Sequence, residues 1–173
     1  MTLRFTNLAC RLNTRMMKNR ESDSFSPLLM PRLLSAVYWF DDALQDALKR
    51  GGFEPMTRAQ SLLLSNISAG EHRAIRLARN LGITRQAVSS MIMELQSLNI
   101  LVVEQDTKDR RARVVKFAPS AAPLAYAAHR ALEQVEAVLR ERIGPDRYEG
   151  IKAGLSADWG APPIVDLPEF YKQ

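Results

Sequence analysis

A chain of 173 residues is long enough to bury one hydrophobic core, and 46% hydrophobic with 25% charged residues is the composition of an ordinary globular protein. No apolar run approaches the roughly 20 residues that cross a bilayer, and one cysteine, Cys10, beside two histidines, His72 and His129, excludes a disulfide framework and a metal cluster at ligand spacing. A soluble protein of the reducing cytoplasm, with no membrane partner and no metal, is expected.

The net charge of +5 is spread unevenly. Residues 1–20 hold five basic side chains and no acidic one, residues 57–118 hold ten basic and five acidic, and the stretches 21–56 and 119–173 are net acidic. A polyanion would therefore meet the middle of the chain. Residues 1–26, basic and rich in Ser, Thr and Asn, read as a disordered arm.

From Pro27 to Arg50, Leu29, Leu33, Ala36, Val37, Phe40, Leu44 and Leu48 recur at helical period, and Gly51-Gly52 ends the helix. Thr57 is an N-cap candidate for a second helix running to about Ile67. A third, from about Glu71 to Gly82, carries Ile75, Leu77, Ala78 and Leu81. The fourth opens at Thr84, and its apolar stripe of Val88, Met91, Ile92, Leu95 and Leu98 leaves Arg85, Gln86, Ser89, Ser90 and Met93 on the opposite face. The β-rich runs Ile100–Gln105 and Ala112–Ala118 flank a polar turn and predict a hairpin. A long helix from Ala122 to Arg142, a break at Gly144-Pro145, and a short helix from Asp146 to Leu155 follow. The tail, with Pro162, Pro163 and Pro168, is expected to be irregular.

Three short helices and a hairpin with a basic tip make the plan of a winged helix-turn-helix. A helix fits the major groove, where Arg85 can bond guanine acceptors and Gln86 can pair with adenine, and the small hydroxyls of Ser89 and Ser90 permit close approach. Thr84, at the positive end of that helix, suits a phosphate. The arginines of the hairpin can reach the adjacent minor groove, where narrow tracts concentrate negative potential. The chain carries no nucleophile elbow, phosphate loop, metal spacing or acid pair, so an enzyme is not expected. A winged helix can also serve protein contact without specific DNA binding, which is the alternative reading.

The segment LARNLGITRQAVSSMIMELQSLNILVVEQDTKDRRARVVKFAPSAAPL resembles the winged-helix core of the MarR (multiple antibiotic resistance regulator) family, above all in ITRQAVS and DTKDRRARVV. The resemblance implies a mainly α fold with a β-hairpin wing, in which a DNA-binding lobe joins an α-helical dimerisation region. It implies a domain over 27–156, with the lobe at 57–120 and dimerisation helices at 27–50 and 121–156, leaving the arm 1–26 and the tail 157–173 outside. By resemblance, Arg111 enters the minor groove and Asp109 orients the wing through Arg111 or Arg113. Lys108 and Arg110 meet phosphates, as do Thr84 and Ser89, while Arg85, Gln86 and Ser90 face bases. The implied protein is a homodimeric, cytoplasmic repressor on a pseudo-palindromic operator of double-stranded DNA. It needs no cofactor and responds to a small aromatic acid in a pocket that Tyr38 or Trp39 lines; packing in the core or dimer is the competing role for these two aromatics.

Overall fold

Local sequence signals set most of the helix ends in the computed structural model, which describes residues 28–107 and 109–166. The arm 1–26, with Cys10, Lys108 at the wing tip and the end of the tail lie outside the described residues. Helix α1 is Leu29–Arg50, with Lys49 and Arg50 in its last turn complementing the helix dipole. Helix α2, Arg58–Ser68, opens with a reciprocal capping box: Thr57 Oγ1 accepts from the Gln60 amide (3.3 Å), and Gln60 Oε1 accepts from the Thr57 amide (2.9 Å). Helix α3, Ala74–Leu81, ends on Gly82 at φ 65°, a left-handed conformation that glycine adopts without a Cβ clash. Helix α4, Arg85–Ser97, is capped by Thr84, whose Oγ1 accepts from the Ala87 amide (3.1 Å).

Strands β1 (Leu101–Gln105) and β2 (Arg113–Phe117) form the expected antiparallel hairpin, with Val103 opposite Val115. A 3-10 turn at Pro119–Ala121 leads into α5, Ala122–Ile143, and Gly144 separates it from α6, Pro145–Ser156. Residues 157–166 have no regular structure. No helix among the described residues is long and apolar enough to cross a membrane.

Three expectations need correction. The third helix begins at Ala74, not Glu71, because Glu71 to Arg73 run extended beside β2: the Val115 amide donates to His72 O (2.9 Å) and His72 Nδ1 lies 3.0 Å from Val115 O. Leu98 is 54% exposed rather than part of the buried stripe, since the helix stops at Ser97 and Asn99, at φ 56°, turns the chain into β1. Ile75 is 53% exposed, one residue into a short helix whose buried positions are Leu77 and Ala78.

The chain divides into two units between Phe40 and Asp41. In the described part of the first, Leu28, Leu29, Met30, Leu34 and Val37 are exposed, and the Trp39 ring meets Phe40 edge to face at 5.1 Å. The second holds two apolar clusters. One joins Leu63 and Ile67 of α2, Leu77 of α3, Val88, Ile92 and Leu95 of α4, Leu101 of β1 and Val115 of β2. The other packs Leu44 and Leu48 of α1 against Ala131, Leu124 and Leu132 of α5. Burying each such leucine, isoleucine or valine contributes about 1.5–3 kcal/mol, so the first cluster is the main source of order in the winged lobe.

Position on α4 should decide the cost of a substitution. Leu95 is 0% exposed and Met93 62%. Leu95→Ala is expected to lower stability by about 2–5 kcal/mol, and Met93→Ala by less than about 0.5 kcal/mol, in urea denaturation followed by circular dichroism.

Candidate nucleic-acid interface

Burial of Val88, Ile92 and Leu95 turns the opposite side of α4 to solvent, and Thr84, Arg85, Gln86, Ser89 and Ser90 are all exposed there. Arg85, Gln86, Ser89, Ser90 and Met93, expected opposite the apolar stripe, are all exposed. The Thr84 hydroxyl accepts the Ala87 amide and retains its own proton for donation. The amides of the first helical turn have no partner within the helix, which leaves a partial positive charge at this end.

The wing turn is closed by main-chain bonds and by two carboxylates that accept from backbone amides. The Asp106 amide donates to Ala112 O (2.9 Å), the Ala112 amide to Asp109 O (2.9 Å), and the Asp109 amide reaches Asp106 Oδ1 at 3.4 Å. Asp109 Oδ1 accepts from the backbone amide of Arg111 (3.0 Å), so it shapes the turn that carries Arg111 through the main chain rather than through a guanidinium. Gln105 Nε2 donates to Arg110 O (2.5 Å) across the same turn. Arg110, Arg111 and Arg113 are exposed; the role expected for Lys108 lies outside the described residues.

A positioning contact that the sequence did not disclose links wing to helices. Arg73, immediately before α3, pairs with Asp106 at the base of the wing. The Arg73 amide also donates to Glu71 Oε1 (2.8 Å), whose other oxygen pairs with Arg76 Nε (2.6 Å). Burial alone would push the Glu71 carboxyl up, but the bonds from Arg73 and Arg76 outweigh it and hold the group below its ordinary value of 4.5. Arg73 and Arg76 are thus largely neutralised in place. Their spacing offered no signal, because the partners lie on different elements.

Arg79 is the other residue missed. It lies on the exposed side of α3, and with Arg76, Thr84 and Arg85 it lines a surface groove of about 580 Å³ between Ile75 and Ile83. Neither Arg79 nor Arg85 makes an ion pair among the described residues, so both charges are open to solvent. The available clue was the exposed position of Arg79, two residues after buried Leu77 on the same helix.

Tyr38 and Trp39, expected near a ligand pocket, are 40% and 36% exposed in the unit that ends at Phe40. A cavity in the other unit is lined by residues from Leu44 to Leu132.

Residues 54–112 match the sequence model of the MarR family. No curated protein sequence matches the chain. Among solved structures, the chain is similar to the transcriptional regulator PA4135, with 20% identity over 75% of this chain and 94% of that one and a TM-score of 0.60. It is similar to apo MarR of E. coli, with 20% identity, coverage of 75% and 96% and a TM-score of 0.54. NadR, solved in complex with 4-hydroxyphenylacetate, is 14% identical with coverage of 78% and 94% and a TM-score of 0.59. The fold is that of the MarR-family winged-helix regulators.

Two outcomes check the wing anchor. A double-mutant cycle with Arg73→Ala and Asp106→Ala, read by urea denaturation, should give a coupling on the order of 1 kcal/mol, since both side chains are partly buried. Because the folded Glu71 pKa is depressed, its contribution is complete above 4.5 and is lost as pH falls through the lower folded value. Glu71→Gln should flatten that acid limb of the stability curve.

Proposed function

Starting from a chain whose residues 54–112 carry the MarR-family winged helix, we propose a homodimeric, sequence-specific DNA-binding regulator of transcription, acting as a repressor. One observation carries this reading: the polar face of α4, the basic wing and the α3–α4 groove are all exposed, while the faces behind them are buried in one apolar cluster. In this reading Arg85, Gln86 and Ser90 read base edges in the major groove, and Thr84 and Ser89 hold phosphates. Arg111 enters the minor groove from a turn shaped by Asp109, with Lys108, Arg110 and Arg113 on the flanking backbone. Arg79 adds a phosphate contact from the first helix of the helix-turn-helix, which crosses the backbone in such dockings.

Exposed apolar side chains support self-association. Leu28, Leu29, Met30, Leu34 and Val37 stand out in one unit, and Tyr126, Val138, Ile151, Leu155 and Trp159 in the other. Large unburied apolar residues in such numbers fit a subunit interface better than a monomer's surface. Tyr38 and Trp39 belong to this apolar helix in our reading. A two-fold dimer would then present two α4 helices to half-sites about one turn of DNA apart. Response to a small molecule belongs to the same proposal, supported by the ligand held by NadR, a protein of this fold.

Selection of bound fragments from a random DNA pool, followed by salt titration of retention, tests the reading. A preferred, pseudo-palindromic fragment with steep salt dependence is expected; weak retention of all fragments alike would favour a winged helix used for protein contact. Arg111→Ala should weaken every sequence, and Arg79→Ala should lower the salt slope by about 1 with little change in preference. Gln86→Ala should cost about 1–3 kcal/mol and relax preference at one base position.

A further inference from the structure

Every large apolar side chain of α4 but one packs on the apolar cluster of the lobe: Val88, Ile92 and Leu95 are buried within it, and Met91 packs against it. The exception is Met93, 62% exposed on the side that carries Gln86, Ser89 and Ser90. It follows Gln86 by seven residues, close to two full turns, so the two side chains stand in line on that side, roughly 10 Å apart along the helix axis. Its neighbours on the helix surface are Ser89 and Ser90 one turn before, and Gln96 and Ser97 one turn after. The serines are short, and Ser97 Oγ donates back to Glu94 O (2.6 Å), so the thioether stands above the hydroxyls around it.

We propose that Met93 is a specificity-determining residue that recognises the C5-methyl group of a pyrimidine, thymine in unmodified DNA, in the major groove. The inference deepens the regulator reading and rests on it. Base edges in the major groove offer acceptors on guanine, adenine and thymine, amino donors on adenine and cytosine, and the methyl group of thymine. A thioether donates no hydrogen bond and accepts only weakly, so it does not sort the polar edges. Covering one of them with Met93 would leave that edge unpaired and out of water, which is costly. The methyl is the feature that apolar contact recognises, and an unbranched, polarisable side chain with three rotatable bonds settles against it readily. Gln86 and Met93 thus divide the work, one reading a base pair by hydrogen bonds and the other by burial of a methyl. A helix lying along the groove advances about 1.5 Å per residue against about 3.4 Å per base pair, so the two readings fall about three base pairs apart.

The test uses the full chain and the fragment it selects from a random DNA pool. Each thymine of that fragment is replaced in turn by uracil, which removes the methyl and leaves every hydrogen-bonding group in place. In gel-shift titrations at fixed salt, one thymine in each half-site should be sensitive, its replacement weakening the wild-type chain about fourfold, as expected for one methyl-sized group buried. Met93→Ala, folded by its cooperative urea transition, should bind the thymine and uracil duplexes equally, and Met93→Leu should keep most of the difference. A cytosine placed at the sensitive position should gain the same factor when it carries a 5-methyl group, which separates the methyl from the oxygen of thymine. The proposal is overturned if uracil changes nothing at any position, or if every methyl effect survives in Met93→Ala. A wild-type chain that selects no fragment overturns the regulator reading and this inference together, whereas a selected fragment without a Met93-dependent methyl effect overturns this inference alone.

Discussion

The exposed polar face of the lobe depends on how α4 is seated. Val88, Ile92 and Leu95 are spaced three to four residues apart, and all three are buried against α2, α3 and the hairpin. That burial sets the helix's rotation about its own axis. Once rotation is set, Arg85, Gln86, Ser89 and Ser90 can point only outward, with no further interaction needed to aim them. Polar side chains on a helix face are common; a well-packed opposite face holds these ones in a defined direction.

The wing is tied to the same body by contacts of a different kind. His72 pairs with Val115 through backbone, and Arg73 meets Asp106, so the residues just before α3 grip both β2 and the base of the turn. A two-stranded hairpin is marginal by itself in water. Held at its base, it can carry exposed arginines at a defined place. The acidic residues of the wing are therefore structural parts of a basic device: Asp106 anchors it, and Asp109 folds its tip around the Arg111 amide.

Between the lobe and the α1–α5 packing, polar contacts take over from apolar ones. Arg58 on α2 donates to buried Asp41 (2.9 Å) and pairs with Asp42, and Gln45 bridges the Met56 amide (3.0 Å) and Ser61. The Arg58 hydrogen bond to Asp41 raises the guanidinium's already high pKa. Polar struts of this sort keep a seam in register without filling it, and the cavity lies beside them. A seam held by a few directional bonds is also easier to open than a packed core.

Much of the fold was legible in the residues themselves because it is written in local chemistry. The N-cap at Thr57, the helix opening at Thr84, the helix end at Gly82 and the β-rich runs each act within a few residues, and each appears where expected. So does the exposed tetrad of α4, since helical periodicity alone separates it from Val88 and Leu95. The errors lie where distant partners override local pattern: Glu71 to Arg73 look helical but are drawn into extended backbone by β2, and Leu98 keeps the apolar phase after its helix has ended. What only the tertiary structure decided are the contacts between elements: Arg73 with Asp106, Arg79 beside Arg85, and a cavity walled by residues from α1 to α5. Sequence determines which side chains are available and which face each occupies, because those follow from spacing along one chain. Which of them meet depends on how the faces pack, a three-dimensional condition that spacing does not encode.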